Sequence, residues 1–531
     1  MAKPRILFDH DARHPLIYMY EPPIQRAELE AGVDELAGTP VEALMLMLGD
    51  VRSLLYASKA GESWGQHVER WPHIIWRRAQ QNFAQLIEAG HDPLQVLCDR
   101  AHAKGMKLYA QLLVQQGPRE RMLKSWEQEG ADAEAWRLDL QPWEIGAKGG
   151  VEADWPGYRC PDFMRDEVRA GTLAVVEEVL RDYPVDGFEL QMAYTPYLFH
   201  PDEVEEGRAV MNEWIGQVHR AVRQRPDREL VVTVPAALGG CRAVGLDPLG
   251  WIEGGLVDAL VAEPAAPLDP ETDFGPLIEA ARGRDCRILA ALHSRVDSDR
   301  IGEATTAMMR AAACNYWRQG IDGMYLAHWF GCWPYGAEFY EKLREVPDAD
   351  IMAPKDKIYR VPSAKNAPAG PLWPPQKAPP LPLELPLGQA VTVPLTISDD
   401  LAYWGQRGRV HEVLLRLRLQ GATEQDLYAV HLNGQPLPDG NLRRINRLYT
   451  MAGPRYRADG YWFIYRLEGD HWPVSGRNTL QMLLQQRDGE AVPGVLLGDV
   501  ELEIRYLLGR HFHRGFVDAD LGPWEGERER L

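Results

Sequence analysis

The strongest constraint on the fold is an alternation, over residues 1–350, between short apolar runs and longer segments with helical spacing. Such alternation is typical of strand-helix units repeated around a parallel sheet. A last helical stretch, GAEFYEKLREV, follows the eighth run. The count and order predict a (β/α)8 TIM barrel over 1–350, with the excess over about 250 residues in insertions. The runs are RILFDH (5–10), VEALMLML (41–48), KLYAQLLV (107–114), VDGFELQM (185–192), ELVVTVPA (229–236), VDALVAEP (257–264), CRILAALH (286–293) and IDGMYLAHW (321–329).

The composition and the hydrophobic pattern of the chain change after residue 350. Residues 351–388 are dense in proline, which predicts an extended, semi-rigid linker. From 389 onward, short alternating runs such as AVTVPLTI, YWFIYRL and DVELEIRYLL predict an antiparallel all-β sandwich domain over 389–531, ending in a charged tail. Asn433-Gly434 marks a hairpin turn in this domain.

Charge and composition limit the classes of partner. A formal net charge of −19 argues against nucleic acid and anionic membrane surfaces, which reward clustered Lys and Arg. No run approaches the roughly 18 apolar residues of a membrane span, and the first residues have no secretory h-region. We therefore expect a cytoplasmic protein, with a trimmed secretory signal as the alternative. The six cysteines form no CxxC pair and predict buried thiols, and no cofactor is indicated.

Two long insertions point to the functional end of the barrel. Residues 49–72 follow strand 2 and residues 115–160 follow strand 3, so both are βα loops, which carry the chemistry of such barrels. Because they are rich in tryptophan, they predict a deep, aromatic-walled cleft. The tryptophans are Trp64, Trp71, Trp126, Trp136, Trp143 and Trp155.

The strand ends supply two candidate catalytic carboxylates. With a period of two, Gly187, Glu189 and Gln191 share one side of strand 4, so Glu189 is expected to point into the barrel. Glu263 is the last residue of strand 6 before a proline. The simpler alternatives are a Glu189 held by a basic side chain and a Glu263 hydrogen-bonded in its loop.

Paired carboxylates in a tryptophan-rich cleft predict a glycoside hydrolase that cleaves oligo- or polysaccharides. One carboxyl would protonate the leaving oxygen and the other would act as base or nucleophile. The expected partner is a carbohydrate substrate, and the sequence does not indicate an oligomeric state. The candidate catalytic residues are Glu189 and Glu263, and the candidate substrate-binding residues are Asp9, His10, Tyr18, Tyr20, Gln111, Gln191, Tyr194, His293, His328, Trp329 and Trp333.

Four segments resemble a known group of barrel proteins. GHDPLQVLCDRAHAKGMKLYAQLLV, YPVDGFELQM, GLDPLGWIEGGLVDALVAEP and GIDGMYLAHW are similar to the glycosyl-hydrolase-like 10 group of (β/α)8 glycosidases, in which a C-terminal β-sandwich often follows the barrel. The resemblance covers most of residues 1–350 and implies the same fold and activity class. This chain departs from the group at Gln191, where relatives tend to carry Asp in a DGxELD-like strand.

Two other function classes stay open. Strand-end His10, His293 and His328, with Asp9, would suit a metal-dependent hydrolase, although the usual His-x-His pair on strand 1 and Lys on strand 4 are missing. A barrel without Asp at position 191 would also suit a non-catalytic carbohydrate-binding protein. Serine and cysteine nucleophile motifs and phosphate-binding loops are not found in the sequence.

Overall fold

The computed structural model describes residues 3–66, 68–71, 73–116, 141–296, 298, 301–363, 380–446 and 460–509. The chain divides into two compact units. The first comprises residues 1–304, 316–347 and 362–380, and the second comprises residues 305–315, 348–361 and 381–531. Residues 305–315 belong to the second unit although they lie within the predicted barrel range, and Ala311 packs into the core of that unit.

The first unit is a closed barrel of eight parallel strands in sequential order, with β8 pairing β1. Each strand falls on one of the eight apolar runs, so the predicted barrel is confirmed. The strands are β1 Ile6–Asp11, β2 Ala43–Met47, β3 Lys107–Leu113, β4 Gly187–Gln191, β5 Glu229–Pro235, β6 Ala259–Glu263, β7 Arg287–His293 and β8 Gly323–Ala327.

The helices that alternate with these strands begin at sequence signals. Asp92 accepts a hydrogen bond from the Leu94 N–H, and Asp247 accepts one from the Gly250 N–H, as expected of N-caps. The helix that follows Pro161 in the sequence begins at Asp166. The helices are α1 Arg26–Asp34, α2 Ile74–Glu88, α3 Pro93–Ala103, α4 Asp166–Asp182, α5 Val204–Val222, α6 Leu238–Ala243, α7 Pro248–Glu253, α8 Gly275–Ala281, α9 Thr306–Arg318, α10 Ala337–Glu345, α11 Ala349–Met352 and α12 Leu401–Gln406.

Odd-numbered residues of the strands face the barrel interior. In the lower interior the Tyr109 ring lies directly against the Cα of Gly187, where a Cβ would come within 2.4 Å of ring carbon Cε1. Glycine is therefore needed where β4 passes this ring. The Tyr109 hydroxyl donates to Glu229, which is paired with Arg287. The apolar interior cluster comprises Leu7, Ala43, Met45, Tyr109, Val231, Ala259, Val261, Leu289, Ala291, Tyr325 and Ala327.

The second unit contains two antiparallel sheets that share one apolar core, which confirms the predicted β-sandwich. A six-stranded sheet has the order β10-β18-β12-β16-β15, with β9 also on β18, and a four-stranded sheet has the order β11-β17-β13-β14. The strands are β9 Lys357–Arg360, β10 Leu383–Glu384, β11 Ala390–Ile397, β12 Val410–Gln420, β13 Leu427–Leu432, β14 Gln435–Pro436, β15 Leu442–Asn446, β16 Tyr461–Arg466, β17 Gly476–Gln486 and β18 Leu496–Tyr506.

Two local features of this unit bear on the sequence predictions. Asn433 and Gly434 both have positive φ, 51° and 80°, and join β13 to β14 as the predicted hairpin turn. Both ends of the predicted linker 351–388 enter the six-stranded sheet, because β9 and β10 each pair with β18. Residues 364–379 and most of the tail lie outside the described residues.

Within the described part of the chain, no helix is both long and apolar enough to cross a bilayer.

The contact between Gly187 and Tyr109 gives a stability prediction. Gly187→Ala forces the new methyl against the Tyr109 ring and the Glu229 backbone oxygen, so we expect the free energy of unfolding to fall by about 1–3 kcal/mol. Gly171→Ala is the matched control, because Gly171 is exposed on α4 with open space at its Cβ, and should be neutral or stabilising by roughly 0.5–1 kcal/mol. Thermal unfolding midpoints of the two variants would check this, and equal midpoints would contradict it.

Candidate active site

A pocket opens at the carboxyl ends of the barrel strands, the end at which (β/α)8 barrels carry out chemistry. It encloses about 360 Å³ of empty space, counting the part open to solvent. Its polar lining includes two carboxylates, from β1 and β6. The lining residues are Asp9, Met47, Gln111, Leu113, Gln191, Ala193, Tyr194, Glu263, Tyr325, Ala327 and His328.

Asp9 lies on the interior face of β1 and is only 4% exposed. Its oxygens accept hydrogen bonds from Gln111 Nε2 and from the His328 backbone N–H, both at 3.3 Å. These bonds do not offset the loss of water, so burial raises the pKa of Asp9 to about 7, and the nearby negative charge of Asp11 adds to the rise. A substantial fraction of Asp9 therefore carries a proton near neutral pH.

Glu189 lies beneath the pocket, fully buried on β4. Thr233 Oγ1 donates to its Oε1 at 2.6 Å, and Gln111 Nε2 and the Tyr325 hydroxyl donate to its Oε2 at 3.0 and 3.4 Å. Burial raises the pKa of Glu189 to about 8, and the charge of Asp9 contributes to this rise. The predicted inward orientation is thus observed, but the side chain contacts protein groups and does not line the pocket.

Gln111 connects the two buried carboxyl groups. Its Nε2 lies within hydrogen-bonding distance of Asp9, Glu189 and the Tyr325 oxygen, while its Oε1 is buried without a partner. An amide nitrogen has two hydrogens for these three acceptors. The network is therefore short of donors when both carboxyl groups are ionised, which agrees with their raised pKa values.

Glu263 lines the opposite part of the pocket at the end of β6, and its side chain is 13% exposed. Its Oε1 is hydrogen-bonded to Nε2 of His293, at the end of β7. The rings of His293 and His328 lie 5.4 Å apart between centroids. Burial and the neighbouring His293 lower the pKa of His328 to about 4, so the His328 ring is neutral at physiological pH.

The backbone at the end of β8 has an unusual conformation. His328 has a φ of 59°, in the left-handed region that few non-glycine residues adopt. In this conformation its N–H points at Asp9 and its ring lines the pocket. Strained residues of this kind concentrate at functional sites, where the surrounding structure holds them in place.

Gln191 and Tyr194 line the pocket at the end of β4. Gln191 Oε1 accepts hydrogen bonds from the backbone N–H groups of Ala193 and Tyr194, at 2.8 and 3.1 Å. The Gln191 amide nitrogen therefore remains as the group that can donate to a ligand. Tyr194 is 42% exposed and stands at the mouth.

A run of aromatic rings leads from the pocket to the surface. His328 contacts Phe330, and Phe330 contacts His14, each pair with centroids 5.6 Å apart. His14 in turn contacts the exposed Tyr18 at 5.1 Å and Trp333 at 6.5 Å. Tyr18 and Trp333 are among the predicted substrate-binding residues, whereas the sequence analysis missed His14 and Phe330.

Several predicted residues lie away from the pocket. His10 faces the opposite side of β1, and its Nε2 would be 2.7 Å from a Cβ on Gly32 of α1. Trp329 is fully buried and donates to the Leu292 carbonyl oxygen, and Tyr20 is half-buried outside the lining. His10 points away from the pocket because adjacent residues of a strand point to opposite faces, and its neighbour Asp9 points inward.

The tryptophan-rich loops do not line this pocket in the described residues. Trp64 is buried against Trp76, and Trp155 packs edge-on against Tyr197. Trp143 is 39% exposed, and Trp71 lies close to Gly65. Trp126 and Trp136 lie outside the described residues. The described aromatic lining is instead Tyr194, Tyr325 and His328.

The sequence analysis missed Thr233, Tyr325 and Met47. Thr233 and Tyr325 lie two residues before the ends of β5 and β8 and share the interior parity of those strands, whereas Met47 is the apolar last residue of β2. In the described part of the chain, no three His, Cys, Asp or Glu side chains are grouped as metal ligands, so no observation here favours the metal-dependent alternative.

The raised pKa of Glu189 predicts how stability changes with pH. The unfolded chain releases this proton near the ordinary value of 4.5, whereas the folded chain holds it up to about pH 8. The folded state then binds more protons in this window, and wild type should lose stability as pH rises through it. Glu189→Gln abolishes this ionisation. Its free energy of unfolding should therefore rise relative to that of wild type by roughly 1.4 kcal/mol for each pH unit in this window.

The measurement is thermal unfolding of both proteins between pH 5 and pH 8. Glu213→Gln, on the exposed face of α5, is the control and should follow wild type at every pH. A constant difference between wild type and Glu189→Gln across this range would show that Glu189 ionises normally.

Comparisons with known proteins were made for the whole chain. No family model matches it, and no curated protein matches its sequence. Among solved structures, a Paenibacillus sp. cycloisomaltooligosaccharide glucanotransferase is 12% identical (TM-score 0.34), covering 94% of this chain and 57% of its own. Alpha-L-fucosidase isoenzyme 2 from Paenibacillus thiaminolyticus is 14% identical (TM-score 0.40), covering 66% and 50%. The PgaB glycoside hydrolase domain from Bordetella bronchiseptica is 13% identical (TM-score 0.38), covering 65% and 98%.

The chain thus spans about half the length of the first two structures. All three neighbours are named as carbohydrate-active enzymes, but such similarity carries no argument about this chain's reaction. The resemblance to the glycosyl-hydrolase-like 10 group stays a prediction, and the function must be argued from the pocket itself.

Proposed function

We propose that this protein is a glycoside hydrolase whose catalytic carboxyl groups are Asp9 and Glu263. The observation that carries the proposal is that both groups line one pocket at the carboxyl end of the barrel, in different environments. Asp9 is buried and hydrogen-bonded to amide donors, whereas Glu263 is partly exposed and paired with His293. Glycoside hydrolysis requires two carboxyl groups with different roles.

Asp9 is the general acid in this proposal. Its pKa of about 7 lets it hold a proton near neutral pH and still transfer that proton readily. It would protonate the glycosidic oxygen as the bond to the anomeric carbon breaks. The ionised form that results is stabilised by the Gln111 amide and the His328 N–H.

Glu263 acts as the base or nucleophile on the other side of the sugar. Its hydrogen bond to His293 holds Oε1, and among the described residues no hydrogen bond holds Oε2. The polar groups of Gln191, Tyr194 and His328 supply hydrogen-bond donors and acceptors that suit sugar hydroxyls. The rings of Tyr18 and Trp333 offer apolar faces at the rim.

Glu189 takes the part of a positioning residue. It does not reach the pocket, but it shares Gln111 with Asp9 and so orients the amide that Asp9 accepts from. This differs from the sequence hypothesis, which paired Glu189 with Glu263. The reason is depth: the strand alternation predicts that Glu189 points inward but not how far below the opening it lies.

Carbohydrate binding without turnover is the second candidate. One observation favours it: Gln191 lines the pocket as an amide, and an amide cannot ionise at a position where an aspartate would. Measurable glycan affinity together with silence across a broad panel of substrates would replace the enzyme proposal by this one.

The first test compares Asp9→Asn and Glu263→Gln with wild type on aryl glycosides and polysaccharides, by release of aryl alcohol or reducing sugar. Both substitutions should lower kcat/KM by about 10²–10⁴-fold on unactivated substrates. Asp9→Asn should lose much less on 2,4-dinitrophenyl glycosides, because dinitrophenolate leaves without protonation.

Glu213→Gln serves as the control and should keep full activity. Glu189→Gln changes the group that shares the Gln111 amide with Asp9, so its loss of kcat/KM should be smaller than that of Asp9→Asn. Full activity in folded Asp9→Asn would remove Asp9 from the mechanism, and a larger loss in Glu189→Gln would return the acid role to Glu189.

The pH dependence of kcat/KM gives a separate test. An acid with a pKa of about 7 should make activity fall by about tenfold per pH unit above that value. Because the charge of Asp11 helps to raise the pKa of Asp9, Asp11→Asn should move this alkaline limb to lower pH. An unmoved limb would mean that another group supplies the proton.

A further inference from the structure

Arg13 is a buried cation beside the pocket that the proposed reaction does not use. It follows β1 at the pocket end of the barrel, and its side chain is only 14% exposed. Its Nη2 lies 3.3 Å from the sulfur of Met47, which lines the pocket. Tyr194, another lining residue, lies within its electrostatic range.

The hydrogen bonds of Arg13 leave its outer edge unsatisfied. Its Nε and its backbone N–H both donate to Asp11 Oδ1 at 3.0 Å. Nη2 donates to the Met47 thioether, which is a weak acceptor, and among the described residues Nη1 has no hydrogen-bond partner. The edge formed by Nη1 and Nη2 is one of the two guanidinium edges that can bind both oxygens of a carboxylate.

Arg52, at the same end of the barrel, shows a different pattern. Its Nη1 donates to Glu144 at 2.8 Å, its Nη2 donates to the Arg159 carbonyl oxygen, and its Nε faces Asp50. Both Nη nitrogens of Arg52 therefore donate to protein groups, which is the pattern of a structural arginine. Arg13 is held by Asp11 on one edge only, which fixes the guanidinium and leaves the other edge for a ligand.

We propose that Arg13 binds the carboxylate of an acidic sugar, so that the substrate class is uronate-containing glycans. A planar carboxylate fits the two Nη groups, and it would replace the sulfur contact with two charge-assisted hydrogen bonds. Protonated Asp9 limits the repulsion that an anionic substrate would meet in this pocket. The inference rests on the proposed glycosidase for its reaction, but its binding step can be measured without turnover.

The test uses the full chain carrying Glu263→Gln, with binding measured by calorimetry. The probes are tetrasaccharides from pectin, alginate and hyaluronan, each compared with its carboxyl-reduced form, which keeps the ring and loses the charge. At least one acidic tetrasaccharide should bind tenfold or more tightly than its reduced form. Adding Arg13→Gln should abolish that preference, and Arg13→Lys should restore part of it.

Two variants guard against a folding artefact. Arg13→Gln leaves Asp11 buried without its partner, so the double variant Asp11→Asn/Arg13→Gln removes both charges together and should also lose the preference. Arg282→Gln, an exposed arginine paired with Glu279, should keep it. Three outcomes would overturn the inference. The acidic and reduced forms bind equally, or the preference survives in both Arg13→Gln and the double variant, or none of the acidic probes binds.

The two proposals fail in different ways. Arg13-dependent binding of an acidic tetrasaccharide, with no hydrolysis by wild type, would remove the glycosidase and keep this inference. Hydrolysis that is indifferent to carboxyl reduction and to Arg13 would keep the glycosidase and remove this inference. Binding of a sulfated neutral tetrasaccharide, with no binding of any uronate tetrasaccharide, would also overturn this inference, because the anion recognised would then not be a carboxylate.

Discussion

The burial of two carboxyl groups in the upper barrel is the constraint on which the site depends. Asp9 and Glu189 share one amide donor, Gln111, and neither is paired with a basic side chain. Because a carboxylate is costly in such surroundings, both groups hold protons at a pH where ordinary carboxyl groups have lost theirs. Thr233 and Tyr325 donate further hydrogen bonds to Glu189, and the His328 backbone N–H donates one to Asp9.

The lower part of the barrel interior forms its packed core, and the upper part holds the candidate site. Its lower interior packs apolar side chains around the Tyr109 ring, with Gly187 leaving the necessary space, beside a buried Glu229–Arg287 ion pair. Its upper interior holds the buried polar side chains of Asp9, Gln111 and Glu189 and opens into the pocket. The rigid lower layers let the upper strand ends hold strained or under-bonded groups such as His328 and Gln111, since the cost is spread over a well-packed core.

The charge that a ligand meets in the pocket depends on which charged side chains lie nearest to it and not on the net charge of the chain. The chain carries a formal net charge of −19, which counts every carboxyl group of the site as ionised. Arg13 lies among them with one edge fixed by Asp11 and the other toward Met47, so the local field differs from the field of the whole protein. Net charge argues against nucleic acid as a partner but does not argue against an acidic sugar, because a ligand in a pocket responds to the nearest groups.

The sequence by itself determined the barrel, its eight strands, the β-sandwich and the inward face of β4, because alternation and turn residues act locally. It also indicated Glu263, Gln191, Tyr194 and His328 as candidate site residues. Only the tertiary structure decided which carboxyl groups share the pocket. Strand stagger set Glu189 below the opening, and the fold brought Asp9 beside Gln111 across 102 positions of sequence. Depth and partners depend on contacts between distant strands, and no local pattern encodes them.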